Sequence, residues 1–571
     1  MCFHSVIFKM LVSIASQLTK TNAGGSVTEK KAWVETTVVV LNGVSKLLAT
    51  YIHVLTGHES FSDCWRTLLN HFNTLLKLDH LEINSGVFEA LREILTQVNT
   101  PSEGSAKLSR ASVDLVWELW SRGLPLPTSK DNNQDCLLAY MSCFQELYRL
   151  MRDYADVERT QRILDLLRDA VQQAHIGSYS ADIEYLTPLQ ANVLESLKLL
   201  RTGIKGVPAA IIVQMANFAS LAFQNFSPNN PDKQQPTYVA LSKESMLLLE
   251  SLVASHAADP EIYEKGAIAA SLSALSKPIV LKYGFTIKTK STPPWQRATT
   301  TAIAILRATL PNLGVSHIPE DNLRSIWSSI IEIANGIISA DCALAPSPST
   351  ILTDQDFDIA SFLSLRSLII PALGNPLIPD ETRRSFTFSL FQTSLIHASA
   401  PGEIEGLLAT LYTPHKFFAA LYTLPKGRTV DPPPSPRAKI SYVALGQLVD
   451  LVSFTDSSAA RIKLAQAAAP YFILRAGLTL RAYIADQPLR GLMPQPLSQR
   501  KELLWILKAL VELRCEPAAI PDVAGVESEG RKHLCRLHPL LTKTGRVGRG
   551  DVEVLGWVER GLDAVGEEFG L

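Results

Sequence analysis

Apolar residues return along this chain at steps of three and four. One stripe within Trp33–Leu55 is Thr37, Leu41, Val44, Leu48, Tyr51 and Leu55, and the next is Trp65, Leu69, Phe72 and Leu76. Val87, Leu91, Ile94 and Val98 follow, then Leu137, Met141, Phe144, Tyr148 and Met151, then Ile163, Leu167, Ala170 and Val171. Such steps place the apolar groups on one face of an α-helix. Start signals agree. Thr187-Pro188 and Asp259-Pro260 each put a cap residue before a proline, and Pro319 is followed by acidic residues. No run of strict alternation flanks an Asn-Gly or Asp-Gly turn, so strands are not predicted.

The predicted helices recur every ~20–35 residues, the rhythm of stacked helix pairs. Repeat-to-repeat identity is poor, which fits HEAT or armadillo arrays better than tetratricopeptide or ankyrin arrays. The expected fold is therefore an all-α, HEAT/armadillo-type helical-repeat solenoid. Proline-, asparagine- and serine-rich interruptions at 227–236, 343–350 and 425–437 cannot continue a helix. They divide the chain into helical repeats at 1–226 and 237–424 and a C-terminal helical region at 438–571. Pro432-Pro433-Pro434 reads as extended polyproline, either a plain connection or a ligand for a proline-reading domain.

Composition narrows the class. A length of 571 residues exceeds a single ordinary core, so either several domains or a fold growing along one axis is required. Hydrophobic residues make up 46% and charged residues 19%, which excludes general disorder. Lys+Arg at 54 against Asp+Glu at 55 leaves a net charge of -1, no footprint for nucleic acid. Seven scattered cysteines read as reduced thiols of the cytosol. The apolar start, Met1–Lys20, carries His4 and Lys9 and has helical spacing, which reads against a signal peptide. The charge-free run from Gly206 to Phe223 has membrane-span length, but its Pro208, Gln214, Asn217 and Ser220 read as a buried helix.

Candidate chemistry is sparse. Cys515, His533, Cys535 and His538 are zinc-ligand types without paired ligand spacing, so no metal is expected. His53, His58, Asp63 and Cys64 imitate a nucleophile with a base but lack a glycine-rich elbow. Gly545, Gly548 and Gly550 have the wrong spacing for a dinucleotide loop. No catalytic residue and no cofactor is expected. A basic stretch of Arg531, Lys532, Arg536, Lys543, Arg546 and Arg549, interleaved with leucines, is either an anionic-surface contact or the solvated face of a terminal helix. Asp486, Arg490 and Arg500 fall in a proline-interrupted connection that either touches a partner or is tied down by these charges.

One tract is distinctive: YIADQPLRGLMPQPLSQRKELLWILKALVEL, Tyr483–Leu513. With the flanking Ala438–Pro521, it resembles the C-terminal region of the Mon-two (monensin-sensitivity two) family of endosomal and Golgi peripheral membrane proteins. LTPLQANVLESLKLLRTGI (Leu186–Ile204), KGAIAASLSALSKPIVLKYG (Lys265–Gly284) and PPWQRATTTAIAILRATLP (Pro293–Pro311) are also similar to that family. The family is similar to the large Arf guanine-nucleotide exchange factors without their catalytic Sec-seven domain. Its members are longer, which makes this chain a C-terminal portion or a shortened gene model. The resemblance implies a non-catalytic scaffold of Golgi–endosome traffic on the cytosolic face of those membranes. The implied partners are a Dopey-type protein, an aminophospholipid flippase and an Arf-like GTPase. From the residues alone, a HEAT-type adaptor for soluble cargo (nuclear transport or a phosphatase scaffold) and a hydrolase with an unrecognised site stay open.

Overall fold

The computed structural model describes residues 6–100, 107–124, 132–174, 182–224, 237–285, 287–314, 318–456, 458–491, 493–522, 530–548 and 550–568. Among them every regular element is helical, apart from two isolated bridges, His397 with Pro434 and Ser453 with Cys515. The helices start where short polar side chains can take an orphan backbone N–H. Ser26 and Glu29 form a reciprocal capping box, and Thr187 and Gln190 form another ahead of Pro188. Asp156, Ser347 and Ser458 cap three further helices. The Asp259-Pro260 signal gives one turn only, Glu261–Glu264, because Gly266 then takes a positive φ of 72° and the next helix begins at Ala267.

Two compact units are present: Met1–Ala274 with Ile287–Arg297, and Leu275–Thr286 with Ala298–Leu571. In the first, the helices are α1 (Phe8–Gly24), α2 (Val27–Leu55), α3 (Phe61–Leu76), α4 (Leu81–Asn99), α5 (Arg110–Trp120) and α6 (Gln134–Met151). They continue with α7 (Val157–Gln172), α8 (Pro188–Leu199), α9 (Val207–Gln224), α10 (Val239–His256) and α11 (Glu261–Glu264). Each helix packs on its successor within a pair and on the next but one along a row. Thus α2, α4, α6 and α8 make one row, while α1, α3 and α5, and α7 with α9, run beside it. That two-row stacking is the HEAT/armadillo arrangement.

Burial follows the apolar stripes with small shifts. On α2, Ile52 is buried and Tyr51 is 55% exposed, so the stripe drifts by one residue at its end. The drift is what a 3.6-residue period imposes on steps of three and four. Leu75 likewise replaces Leu76 on α3. Two helices, Val27–Leu55 and Val207–Gln224, are long and apolar enough to cross a membrane. The second is buried along most of its length against its neighbours, as the polar residues in it suggested.

Helices α12 (Ala267–Val280) and α13 (Pro294–Leu313) contain the boundary between the units. The second unit continues with α14 (Glu320–Ile338), α15 (Pro348–Leu373), α16 (Asp380–Ser394), α17 (Glu403–Leu408), α18 (Pro414–Tyr422) and α19 (Ala438–Val452). It ends with α20 (Ala459–Arg490), α21 (Leu497–Glu512), α22 (Lys532–Val547) and α23 (Val552–Glu568). The 343–350 interruption is narrower than expected, since Cys342–Leu344 form a 3-10 turn and α15 begins at Pro348. The 425–437 interruption is non-helical until Ala438, and 227–236 lies outside the described residues. The centre of this unit is α20, which touches α16, α18, α19, α21 and α22. Gly477 lets α18 come close: a Cβ there would sit 2.6 Å from Leu421 Cδ1 of α18.

Charge is buried here, and it is paired. Asp358 of α15 is held between Lys282 and Arg437, and Arg437 also donates to the carbonyls of Ile338 (3.1 Å) and Ile337 (3.2 Å). Burial pushes the Asp358 carboxyl up and the Lys282 ammonium down, so each charge depends on the other. Removing one member of such a buried pair typically costs about 3–5 kcal/mol. His533 of α22 is fully buried and donates from Nε2 to Leu510 O at 2.8 Å.

Burial lowers the His533 pKa to about 4, so its neutral form is the folded one. The stability it confers is present above pH 6.5 and is lost as pH falls toward 4. The whole window is worth about 3 kcal/mol, roughly 1.4 kcal/mol per pH unit. The urea midpoint should therefore drop between pH 6.5 and 5, and His533→Gln should flatten that slope. An unchanged slope in the variant would place the titration elsewhere.

Candidate functional site

The distinctive tract folds as the end of α20, a short connection at 491–496, and α21. Asp486 and Arg490 therefore sit on the last turns of α20, and Arg500 on the first turn of α21, rather than in the connection itself. This corrects the expectation that all three fall in a proline-interrupted connection. Pro488 is accommodated inside α20, and Gly491, with φ 60°, ends the helix.

A strap at 424–437, which includes the proline run, crosses the end of this hairpin. Gly427 lets it lie directly on α20, since a Cβ would run into the Ala485 backbone and the Leu489 side chain. Beside it, Arg428 grips Asp486. The Arg428 backbone N–H donates to Oδ1 at 2.7 Å, and its Nε and Nη2 donate to Oδ2 at 2.9 and 2.6 Å. Farther along, Asp431 accepts from Arg490 and from Gln499 Nε2 at 3.1 Å. Ser435 N–H donates to Ile396 O at 2.7 Å, and Arg437 ends in the Asp358 cluster. The proline run is thus a pinned connection. Its following arginine is committed inward, so it does not offer the basic anchor that a proline-reading domain would use.

Behind the strap, Glu502 of α21 binds three groups at once. Its Oε1 accepts from Arg475 Nη2 and, at 3.2 Å, from Thr479; its Oε2 meets His397 Nδ1. Arg475 also donates to Ser394 O from Nε (3.1 Å) and Nη2 (3.0 Å). Burial alone would raise the Glu502 carboxyl, but the Arg475 guanidinium and His397 hold it below its ordinary value. Through His397 Nε2, 3.0 Å from Ser498 Oγ, the cluster acquires a serine–histidine–carboxylate order. The adjoining cavity, lined by His397, Arg475, Thr479 and Glu502, has a volume of about 40 Å³. That is room for about one water molecule. Chemically, this arrangement is a clamp between α16, α20 and α21.

Outside the clamp, the same hairpin presents apolar side chains to solvent. Leu489 is 58% exposed, Met493 72% and Leu497 85%, and Val430 of the strap is 78% exposed. Arg490 and the half-exposed Arg500 stand among them, Arg500 gripping Asp551 Oδ2 from Nε at 2.7 Å and Glu553 from Nη2 at 2.7 Å. Apolar anchors beside arginines are the usual make-up of a protein-contact centre.

The basic stretch does not form a continuous free face. Arg531 donates to Val511 O, Lys532 is buried against Asp522, Arg536 lies over the Phe418 ring and donates to Pro521 O, and Lys543 reaches Tyr422 O. Arg546 is exposed, and Arg549 lies outside the described residues. Cys515, His533 and Cys535 are buried while His538 is exposed; His53 at the end of α2, His58 in the connection and Asp63 at the start of α3 are exposed, and Cys64 is half-buried. Among the described residues no three His, Cys, Asp or Glu side chains gather in a metal-holding group.

The clamp and strap residues His397, Arg428, Asp431, Arg475 and Glu502 escaped the sequence reading. Arg475 and Arg481 gave a signal, as isolated charges inside an otherwise apolar helical run. Glu502 gave none, sitting in a run of charged neighbours.

No family model matches the chain. Protein MON2 of Saccharomyces cerevisiae is 22% identical over 535 residues, covering 89% of this chain and 32% of that protein. Monensin-resistant homolog 2 of Caenorhabditis elegans is 21% identical over 422 residues, covering 58% and 25%. A protein MON2 homolog of Xenopus laevis is 21% identical over 438 residues, covering 57% and 25%. The chain thus spans a third or less of the length of these curated relatives. Among solved structures, a circular tandem repeat protein overlaps 99% of this chain and 96% of its own at 10% identity, with a TM-score of 0.25. An overlap that loose carries no argument, and the fold rests on the helices themselves.

Asp486 is 3% exposed and fully engaged, which makes it a tie. Asp486→Arg should cost about 3–5 kcal/mol by leaving Arg428 facing a like charge, whereas Arg490→Glu should cost less, because the carboxylate it faces, Asp431, is 42% exposed. Urea unfolding of the two variants checks this; equal losses would contradict it.

Proposed function

We propose that this chain, similar to MON2 proteins along most of its length, is a non-catalytic scaffold of protein trafficking between Golgi and endosomes. The observation that carries this reading is the likeness to yeast MON2 along 89% of the chain. The helix array supports it, because stacked helices offer long surfaces for other proteins. So does the α20–α21 hairpin, whose buried charges are consumed in ties while its apolar side chains face outward. In this reading the contact centre is Leu489, Met493, Leu497 and Val430, edged by Arg490 and Arg500. Its occupants are the partners that the family resemblance implies: a Dopey-type protein, an aminophospholipid flippase or an Arf-like GTPase. Association with the cytosolic face of the membrane is peripheral and runs through these proteins, with Arg546 and its basic neighbours adding attraction to anionic lipid.

A fluorescently tagged chain expressed in yeast should mark Golgi and endosomal membranes and be released from them by carbonate. The double variant Met493→Asp/Leu497→Asp should become diffuse while its melting temperature stays within a few degrees, because both side chains are exposed. Diffuse distribution of the unaltered chain would overturn the trafficking reading. Unchanged distribution of the variant would move the contact off this hairpin.

A further inference from the structure

The first unit carries a second surface, independent of the hairpin and of the trafficking reading. Helices α2, α4 and α6 lie side by side, and their outward residues enclose a groove of about 1250 Å³. Its walls and floor include Val34, Val38, Leu81, Leu138 and Ala139, and Val39 stands at its edge 69% exposed. A helix about 10 Å across rises about 5.4 Å per turn, so a volume of this size matches about three turns of helix.

The groove's rim chooses the occupant. Glu35, Asp79, Glu82, Glu89 and Asp135 all line it and all are exposed. Against these five acids the lining offers Arg92 and His80. At this rim Glu35 meets Lys31 only loosely, at 3.9 Å, with both side chains mostly in solvent. Glu82 and Asp135 also suit the first turns of α4 and α6, where negative charge is favoured. Glu35 and Glu89 sit within helices and have no such role. A rim of this sign repels phosphate, which disfavours nucleic acid and an anionic bilayer. An apolar floor between acidic edges instead suits a helix with one apolar face and flanking lysines or arginines.

We propose that the α2–α4–α6 groove is a docking site for a basic amphipathic helix of a partner protein. The apolar face of that helix would lie on Val38, Val39 and Leu138, and its cations would meet Glu35, Glu82 and Glu89.

The test is fluorescence anisotropy on the whole chain with a labelled Leu/Lys amphipathic peptide of about 18 residues, some five turns, and its Leu/Glu counterpart. The Leu/Lys peptide should bind and the Leu/Glu peptide should not, with affinity falling as salt is raised. Glu82→Lys/Glu89→Lys should weaken binding by about tenfold or more, and Val39→Asp should also weaken it. Glu320→Lys/Asp321→Lys, an equal charge change on exposed acids of α14, serves as control and should change little. All substituted residues are exposed, so circular dichroism should be unchanged, and the neutral Glu89→Gln provides a milder variant. Equal binding of both peptides, undiminished binding to the groove variants, or an equal loss in the control would each overturn the proposal.

Discussion

Arg475 and Glu502 form the pair on which the second unit depends. Both are buried, with the Arg475 side chain 1% and the Glu502 side chain 8% exposed. A charge so placed is tolerated only if every hydrogen-bonding position finds a partner. Arg475 therefore also closes the end of α16 through Ser394 O, and Glu502 also holds His397 and Thr479. Three helices and one irregular segment are fixed relative to each other by this one contact.

From that clamp outward, the chain solves one problem repeatedly. The strap at 424–437 cannot form helical hydrogen bonds because its prolines lack N–H groups and fix φ. It is held instead by arginine–carboxylate pairs at each end, Arg428 with Asp486 and Arg437 with Asp358. Pinning costs the strap its freedom, but it also fixes Val430 beside the exposed Leu489, Met493 and Leu497. A pre-ordered apolar surface binds a partner without a further ordering cost. The same clamp takes up the serine, histidine and carboxylate that lie in line. Arg475 occupies the second oxygen of the carboxylate, and a small cavity of about 40 Å³ adjoins it.

Much of the architecture was legible beforehand, because helical periodicity is local. Val87, Leu91, Ile94 and Val98 are all buried as their spacing predicts, and so are Leu503, Ile506, Leu507, Leu510 and Leu513. Where the reading slipped, a local rule yielded to tertiary packing. Pro488 suggested a break before Arg490, yet α20 runs on to that residue, with Gly427 letting the strap lie against it. Asp486 and Arg490 were expected to share one role. The fold separates them, Asp486 turned inward to Arg428 and Arg490, largely covered itself, paired with the half-exposed Asp431. The clamp and strap pairings were invisible, because Arg475 and Glu502 are 27 residues apart and Arg437 and Asp358 are 79 apart. No periodicity links positions at such separations.

Buried, mutually dependent charges organise the α20–α21 region. A double-mutant cycle on Arg475→Ala and Glu502→Ala, read by urea unfolding, tests this most directly. Each single variant should lose about 3–5 kcal/mol, because it strands a buried charge. The double variant should lose less than the sum of the two, with a coupling of about 2–3 kcal/mol. Losses that add, with coupling near zero, would contradict the account.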